Sequence, residues 1–250
     1  TYEMADGLTK EESGSYDPNH PFAGRDPRMA MTIIYPGMDW NGTVVNTLDK
    51  TINGKDNANY PPSANNASKT ALTWRKYLDE QYANGIWNTN ACPIVIRYAE
   101  VLLTYAEAVN ELSGPSADVY DKLDLIRGRV GMPKVDREKY ASKETLRRLI
   151  RRERGVELAG EGVRRADILR WKDDNGKMVA ETVLNGVLER VVGTVNYAET
   201  DPTKRAEIDT NAPATDKKIE DRVFKVHNRY NPIPQGAIDN NPNLEQNPGY

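Results

Sequence analysis

The chain has 250 residues, of which 37 are acidic and 34 are basic, so its net charge is −3. This length is enough for one large domain or two small ones with a sizeable core. The near balance of charge argues against nucleic acid as a partner. A single cysteine, Cys92, excludes a disulfide framework and a cysteine-rich metal site, and we expect neither a metal ion nor a cofactor.

The first 92 residues are predicted to be loop-rich, with a few short strands. Turn signals such as Asp26-Pro27 recur there, since the residue before proline avoids the helical region. Residues 29–35 predict a short strand that ends at Pro36-Gly37. Residues 49–70 contain Asn53-Gly54 and little apolar content, which predicts a long, exposed loop.

Residues 93–172 are predicted to be helical. Apolar residues spaced three and four apart over 94–112 indicate an amphipathic helix, with Pro93 just inside its start. A second helix is predicted over 116–130. Together they would form a helix hairpin of the size of one tetratricopeptide-type repeat. One such unit cannot bury its own faces, so we expect further helices to pack on it.

The third predicted helix starts at Ser142, a good N-cap residue, and a short helical piece follows at 167–171. Residues 193–222 are polar, and we expect them to be mobile. A strand is predicted at 223–226. Residues 173–250 as a whole are predicted to form an irregular tail that packs onto the body of the protein, and the last part, 231–250, holds four prolines.

A charged segment follows Ser142, and it admits three interpretations. Glu153, Glu157 and Glu161 fall four residues apart, and a carboxylate pair can hydrolyse a glycoside. Residues 142–172 also hold 10 basic and 5 acidic residues, which could suggest nucleic-acid contact. Interhelical ion pairs explain both patterns better, because the chain as a whole is acidic. Cys92 has no histidine nearby in sequence that could act as a base, so no catalytic role is predicted for it, and we expect it to be a small buried residue.

Aromatic residues between positions 40 and 87 are the best candidates for ligand contact. Apolar sugar faces stack on such rings, while amide and guanidinium groups hydrogen-bond to sugar hydroxyls. Trp74 and Tyr77 lie in an ordered segment and are predicted to belong to the core. The predicted ligand-binding residues are Trp40, Tyr60, Tyr82 and Trp87. For each of them the alternative is burial in the core.

Four segments, in the same order along the chain, resemble sequence signatures of SusD/RagB-like proteins. They are Asp26-Pro27-Arg28 followed by IIYPG at 33–37, PIVIRYAEVLLTYAEA at 93–108, RERGVELAGEG with RADILRW at 152–171, and NPIPQ with NPNLEQNPGY at 231–250. The segments are spread over nearly the whole chain, which makes the resemblance specific.

The resemblance implies a mainly α fold, with tetratricopeptide-type helices and a loop-rich part. It further implies a lipid-anchored protein on the extracellular face of the outer membrane that captures glycans, or peptides in some members, for a TonB-dependent transporter. Such proteins are not enzymes. Full-length members are longer, so we expect residues 1–250 to be the C-terminal part of the fold, with the lipid anchor outside this chain. The family has no fixed binding motif, so no ligand residue is transferred.

Three alternatives remain open beside glycan capture. The first is a peptide-binding protein of the same fold, with a charged groove in place of flat aromatic platforms. The second is a helical scaffold whose hairpin over 94–130 binds a protein partner. The third is a glycosidase that uses Glu153 and Glu157, which requires an open cleft and a carboxylate separation of roughly 5 or 6.5–9.5 Å.

Overall fold

The computed structural model of the chain describes residues 2–61, 66–82, 89 and 91–250. Helices build the main core and the strands are short, so the predicted mainly α fold is confirmed. The chain forms two compact units. Unit 1 comprises Thr1–Arg164 and Arg190–Lys217, and unit 2 comprises Arg165–Glu189 and Lys218–Tyr250.

The described elements are eight α-helices and ten short strands. The helices are α1 Pro27–Thr32, α2 Tyr98–Ser113, α3 Ala117–Arg129, α4 Lys143–Glu157, α5 Arg164–Arg170, α6 Val179–Val183, α7 Ala214–Lys217 and α8 Gln235–Asn240. The strands are β1 Ile33–Ile34, β2 Asp39–Trp40, β3 Thr43–Val44, β4 Thr51–Ile52, β5 Lys55–Asp56, β6 Thr73–Trp74, β7 Gly186–Glu189, β8 Gly193–Val195, β9 Ala206–Ile208 and β10 Lys218–Arg222. The antiparallel pairs are β1 with β6, β2 with β3, β4 with β5, β8 with β9, and β7 with β10.

Helices α2, α3 and α4 enclose the larger core of unit 1. Leu103, Leu123 and Leu146 are fully buried there, one from each helix. The predicted hairpin is therefore confirmed, but α2 begins at Tyr98 instead of near Pro93. Arg97 is the reason, because its backbone is extended and its guanidinium is bound to α4 and to the segment after it.

Helix α4 begins as predicted. The Ser142 hydroxyl accepts a hydrogen bond from the backbone N–H of Thr145 at 3.1 Å, and the Thr145 hydroxyl accepts one from the Ser142 N–H at 3.2 Å. This reciprocal capping satisfies two donors that the first helical turn would otherwise leave free. The helix ends at Glu157, and Gly160 then reverses the chain with a φ of +76°.

A second core in unit 1 lies beneath the N-terminal loops, where the predicted strand over 29–35 proves mostly helical. Asp26 caps α1 by accepting a hydrogen bond from the Arg28 N–H, and Pro27 occupies the first helical turn. Aspartate followed by proline is thus a helix start here, because proline is favoured at the first helical position. Only Ile33 and Ile34 form strand β1.

Two segments predicted to be loop or mobile contain regular secondary structure within their described residues. Within 49–70, Asn53 and Gly54 both have positive φ and connect β4 to β5 as a tight hairpin. Within 193–222, β8 pairs with β9, and Ala206 is fully buried in the second core beside Val195. These contacts could not be predicted from the sequence, because both segments are mainly polar and contribute only a few apolar residues to the contacts.

Unit 2 has a small core of its own, formed by Ile168, Met178, Ala180 and Phe224. The strand predicted at 223–226 is wrong, since the strand is β10 and a 3₁₀ turn follows at Val226–Arg229. The predicted irregular tail contains helix α8, and the Tyr250 hydroxyl donates to the Tyr230 carbonyl at 2.8 Å. Packing of this tail onto the body stays a prediction.

None of the helices in the described part of the chain combines the length and apolar composition needed to cross a membrane. Cys92 is exposed, so its predicted burial is wrong.

Candidate functional site

The glutamates of α4 and of the segment after it lie at the centre of a buried network of ion pairs. Glu153 and Glu157, one helical turn apart, both accept from Nη1 of Arg28, at 2.5 and 3.0 Å. Arg28 also binds Asp26 at 2.6 Å, and its side chain is 5 % exposed. Buried charges are tolerated only when they are paired and hydrogen-bonded, a condition that this geometry meets.

The network links several elements of unit 1. Glu153 accepts from Nη1 of Arg127 on α3 at 3.1 Å. Glu157 accepts from Arg97 at 2.6 Å and from Arg129 at 2.9 Å. The predicted ion pairing of the glutamates is therefore confirmed, with partners that include Arg28 of α1 and Arg127 and Arg129 of α3. Two arginines of the segment after Ser142 pair with acidic groups of other elements, Arg152 with Glu3 and Arg147 with Glu111.

Glu161 completes the network just after α4. It binds Nε of Arg97 at 2.7 Å and Nζ of Lys76 at 2.5 Å. Burial would raise the pKa of Glu161 and of Glu157, but hydrogen bonds from arginine and lysine outweigh it, so both pKa values lie below the ordinary 4.5. Burial would lower the pKa of Arg28, yet its bonds to Asp26 and Glu153 raise it. Both signs of charge therefore persist at neutral pH.

The glycosidase alternative requires an open cleft at Glu153 and Glu157. The two side chains are 3 % and 1 % exposed and share one guanidinium nitrogen. A general acid needs a raised pKa, whereas that of Glu157 is lowered. Glu153 and Glu157 consequently link α4 to α1 through Arg28. Their buried carboxylates leave no room for a glycosidic bond between them.

A cavity of about 220 Å³ opens beside this network, and its lining includes Lys76, Arg97, Arg129 and Glu161. Arg129 is the most exposed of the network residues, with 56 % of its side chain accessible. Among the described contacts only its Nη2 engages a carboxylate, so Nε and Nη1 remain as donors at the mouth of the cavity. Polar groups held rigidly beside a cavity are the usual means of orienting a small ligand.

Trp40 is half-buried on a hairpin whose turn, Asn41-Gly42, has positive φ at both positions. The guanidinium carbon of Arg75 lies 5.1 Å from the centroid of its ring, which is cation–π geometry. Glu80 joins the two, accepting from the Asn41 N–H at 3.1 Å and from Arg75 at 3.4 Å. One face of the Trp40 ring therefore already has a partner within the protein.

The other predicted ligand residues have different surroundings. Tyr60 is half-buried, and the guanidinium carbon of Arg190 lies 5.4 Å from its ring centroid. Tyr82 is half-buried at the end of the 3₁₀ turn Glu80–Tyr82, which Glu80 ties to the Trp40 hairpin. Trp87 lies outside the described residues. Trp40 and the Tyr82 turn are thus brought together, while Tyr60 stands beside another arginine.

Trp74 and Tyr77 are not core residues, contrary to the sequence prediction. Trp74 is 42 % exposed in strand β6, and Tyr77 is half-buried with a φ of +71°. The six-membered ring of Trp74 lies against Gly160, where a Cβ would come within 2.0 Å of Cζ2. No local sequence signal could have paired Trp74 with a glycine 86 positions later, although Gly160 and Gly162 do mark the chain reversal.

No group of three or more His, Cys, Asp or Glu side chains within the described ranges is arranged as a metal site would require.

Comparisons with known proteins are consistent over the whole chain. The family model described as "SusD family" matches residues 1–250. A solved SusD-like carbohydrate-binding protein from Bacteroides fragilis is 32 % identical, with a TM-score of 0.72, over 98 % of this chain and 46 % of that one. A second SusD-like protein of that organism is 25 % identical, with a TM-score of 0.71, over 100 % of this chain and 45 % of that one.

A curated SusD-like protein from Formosa agariphila is 34 % identical over 154 residues, which are 57 % of this chain and 29 % of that protein. The chain thus spans less than half the length of these relatives.

Proposed function

Because the chain belongs to the SusD family, we propose that it takes part in capturing a glycan without cleaving it. The proposal is supported above all by the likeness of nearly the whole chain to a solved carbohydrate-binding protein. In this function the protein is associated with the extracellular face of the outer membrane through a lipid anchor. It hands its glycan to a TonB-dependent transporter.

Recognition would rest on aromatic rings and fixed polar groups. Trp40, Tyr60 and Tyr82 are half-buried, so each exposes part of a ring while the rest is anchored. Sugar rings carry apolar faces that stack on such surfaces, and hydroxyls that bond to amides and guanidinium groups. Rings anchored in this way lose little conformational entropy on binding, which favours affinity.

Capture without hydrolysis is supported by the state of the acidic residues. Glu153 and Glu157 are enclosed and ion-paired, so they offer no exposed acid or nucleophile. On this proposal the wild-type chain releases no sugar and Glu153→Gln changes only stability, whereas a glycosidase would lose hydrolysis in that variant.

The test is retardation in affinity gels that contain amylopectin, xylan, mixed-linkage β-glucan, polygalacturonate or chondroitin sulfate. We expect at least one of them to retard the 250-residue chain. The combined variant Trp40→Ala, Tyr60→Ala and Tyr82→Ala should lose this retardation, and Trp87→Ala should be examined in the same way. Retardation that is equal in all variants would place the binding surface elsewhere.

A second candidate is a docking role for α2, favoured by its exposed apolar residues. Tyr98, Val101 and Leu112 are 70 %, 53 % and 85 % exposed, and a shallow groove of about 380 Å³ runs beside Val101. Such a surface suits a protein partner. Because Trp40, Tyr60 and Tyr82 lie outside this helix, their substitution would leave a contact through α2 intact.

A further inference from the structure

We propose that the cavity of about 220 Å³ beside the ion-pair network is an anion subsite. Lys76, Arg97 and Arg129 would bind a carboxylate or sulfate group of an acidic glycan there. This inference rests on the proposed function and names the class of glycan that the chain captures.

The first observation is that the deeper part of the ion-pair network is balanced in charge. Three arginines and three carboxylates pair there, Arg28 with Asp26 and Glu153, Arg127 with Glu153 and Glu3, and Arg152 with Glu3. Each charge in this part has a counterpart of opposite sign, which is the condition for burying it. This part of the network therefore needs no further anion.

The second observation is that the part beside the cavity has one positive charge in surplus. Three cations share two carboxylates there, Lys76, Arg97 and Arg129 with Glu157 and Glu161. Glu157 also accepts from Arg28, so its negative charge is divided further. Burial would raise the pKa of Glu157, but hydrogen bonds from Arg97 and Arg28 hold it below 4.5. One cation is thus left without a matching acidic group among the described partners.

The third observation is that the cations reach the surface and the carboxylates do not. The side chains of Arg129, Arg97 and Lys76 are 56 %, 25 % and 22 % exposed. Those of Glu157 and Glu161 are 1 % and 3 % exposed. A ligand that enters the cavity therefore meets positive charge first.

The cations also have hydrogen-bond donors to spare. Arg129 uses only Nη2, on the two carboxylate oxygens of Glu157 at 2.9 and 3.1 Å, so Nε and Nη1 have no acceptor among the described contacts. Lys76 uses two of its three N–H groups, on the Glu157 carbonyl and on Glu161. Carboxylate and sulfate oxygens accept such bonds more strongly than a neutral hydroxyl does, because the bonds are charge-assisted.

The walls and the size of the cavity fit one charged group. Ile94 and Val156 supply apolar walls, and walls of low polarity concentrate the field of the nearby cations. The volume is below the roughly 300–1,000 Å³ of pockets that enclose a drug-sized ligand. The cavity would therefore hold a charged substituent, with the rest of the glycan outside it.

The experiment compares charged and uncharged forms of the same polymer in affinity gels at one ionic strength, since salt screens exposed charges. The pairs are polygalacturonate with its methyl ester, and dextran sulfate with dextran. We expect at least one charged polymer to retard the chain, and its uncharged form to do so at least about tenfold less. Polygalacturonate tests the carboxylate and dextran sulfate the sulfate. General attraction to polyanions is disfavoured by the net charge of −3.

Single variants then test the place. Arg129→Gln should weaken retardation by the charged polymer about tenfold, because charge-assisted hydrogen bonds are lost. Arg129→Lys should recover part of it, since it restores the charge but not the guanidinium geometry. Arg137→Gln is the matched control and should change nothing, because it removes the same charge from a side chain that is 52 % exposed and paired with Asp121. The thermal transition should be unchanged in all three variants.

The outcomes separate this inference from the function on which it rests. Equal weakening by Arg129→Gln and Arg137→Gln, or no weakening by Arg129→Gln, would overturn the inference and leave glycan capture standing. Retardation by neutral polysaccharides alone would do the same. If poly-glutamate retards the chain and no polysaccharide does, both are overturned in favour of an acidic peptide.

Discussion

At the scale of single residues, unit 1 depends on a few close approaches that leave no room for substitution. Gly160 allows the Trp74 ring to lie on the backbone just after α4. Gly162, two positions on, also has a positive φ of +81°, but no described atom lies within 4 Å of the point where a Cβ would stand. A comparison of alanine substitutions at Gly160 and at Gly162 therefore separates the cost of backbone strain from the cost of a steric clash.

We expect Gly160→Ala to lower the free energy of unfolding by about 2–4 kcal/mol, because it adds a clash to the backbone strain. Gly162→Ala should cost about 1 kcal/mol, since strain alone applies. Urea unfolding measures both values. In the Trp74→Ala background the cost of Gly160→Ala should fall towards that of Gly162→Ala. Equal costs for Gly160→Ala with and without Trp74 would refute the clash.

At the scale of elements, helices with strong periodicity were predictable and their exact starts were less so. The cap at Ser142 is local, so the sequence revealed it. The start of α2 depends on Arg97 reaching Glu157 and Glu161, which lie 60 and 64 positions away, and no local pattern contains that information. The hairpin at Asn53-Gly54 was not predicted, because its two strands are only two residues long each and show no alternating apolar pattern.

The candidate site, too, could be predicted only in part from the sequence. Aromatic residues between 40 and 87 could be found from composition, but their exposure could not. Trp74 packs against the distant Gly160 and still remains 42 % exposed, whereas Arg75 covers part of the Trp40 ring. Ion pairing of Glu153, Glu157 and Glu161 was predictable from their number and setting, whereas the identity of the partners required the fold.

The cap of α4 gives a prediction at this scale. Ser142→Ala removes the acceptor for the Thr145 N–H and should destabilise unit 1 by about 1 kcal/mol. Ser142→Thr is the matched control, since it keeps a hydroxyl and should stay within a few tenths of a kcal/mol. Chemical unfolding followed by far-ultraviolet circular dichroism measures both. Indistinguishable stabilities for the alanine and threonine variants would contradict the capping role.

At the scale of the whole molecule, the ion-pair network joins the N-terminal segment, α1, α3 and α4 within unit 1. Its carboxylates at Glu157 and Glu161 have pKa values below 4.5 in the folded state, so the folded chain holds their protons less tightly than the unfolded chain does. Stability from Glu157 and Glu161 is therefore fully present above pH 4.5 and is lost as the pH falls through their lowered pKa values.

We expect the midpoint of urea unfolding to be flat from pH 7 to about pH 5 and to fall below about pH 4.5. Glu157→Gln should be less stable at pH 7, because it leaves Arg28, which is buried, and Arg97 and Arg129 without this carboxylate, and it should lose less stability on acidification. Glu138→Gln, at an exposed position, serves as the control and should follow the wild type. A Glu157→Gln variant that loses as much stability on acidification as the wild type would contradict the role of this network.

Glycan capture without hydrolysis can be tested in a single experiment. The purified 250-residue chain is run in affinity gels with the five polysaccharides, and the same mixtures are analysed for released sugar. We predict retardation by at least one glycan with no product. Released sugar would contradict the non-catalytic function, and the absence of retardation by every glycan would contradict capture by this chain.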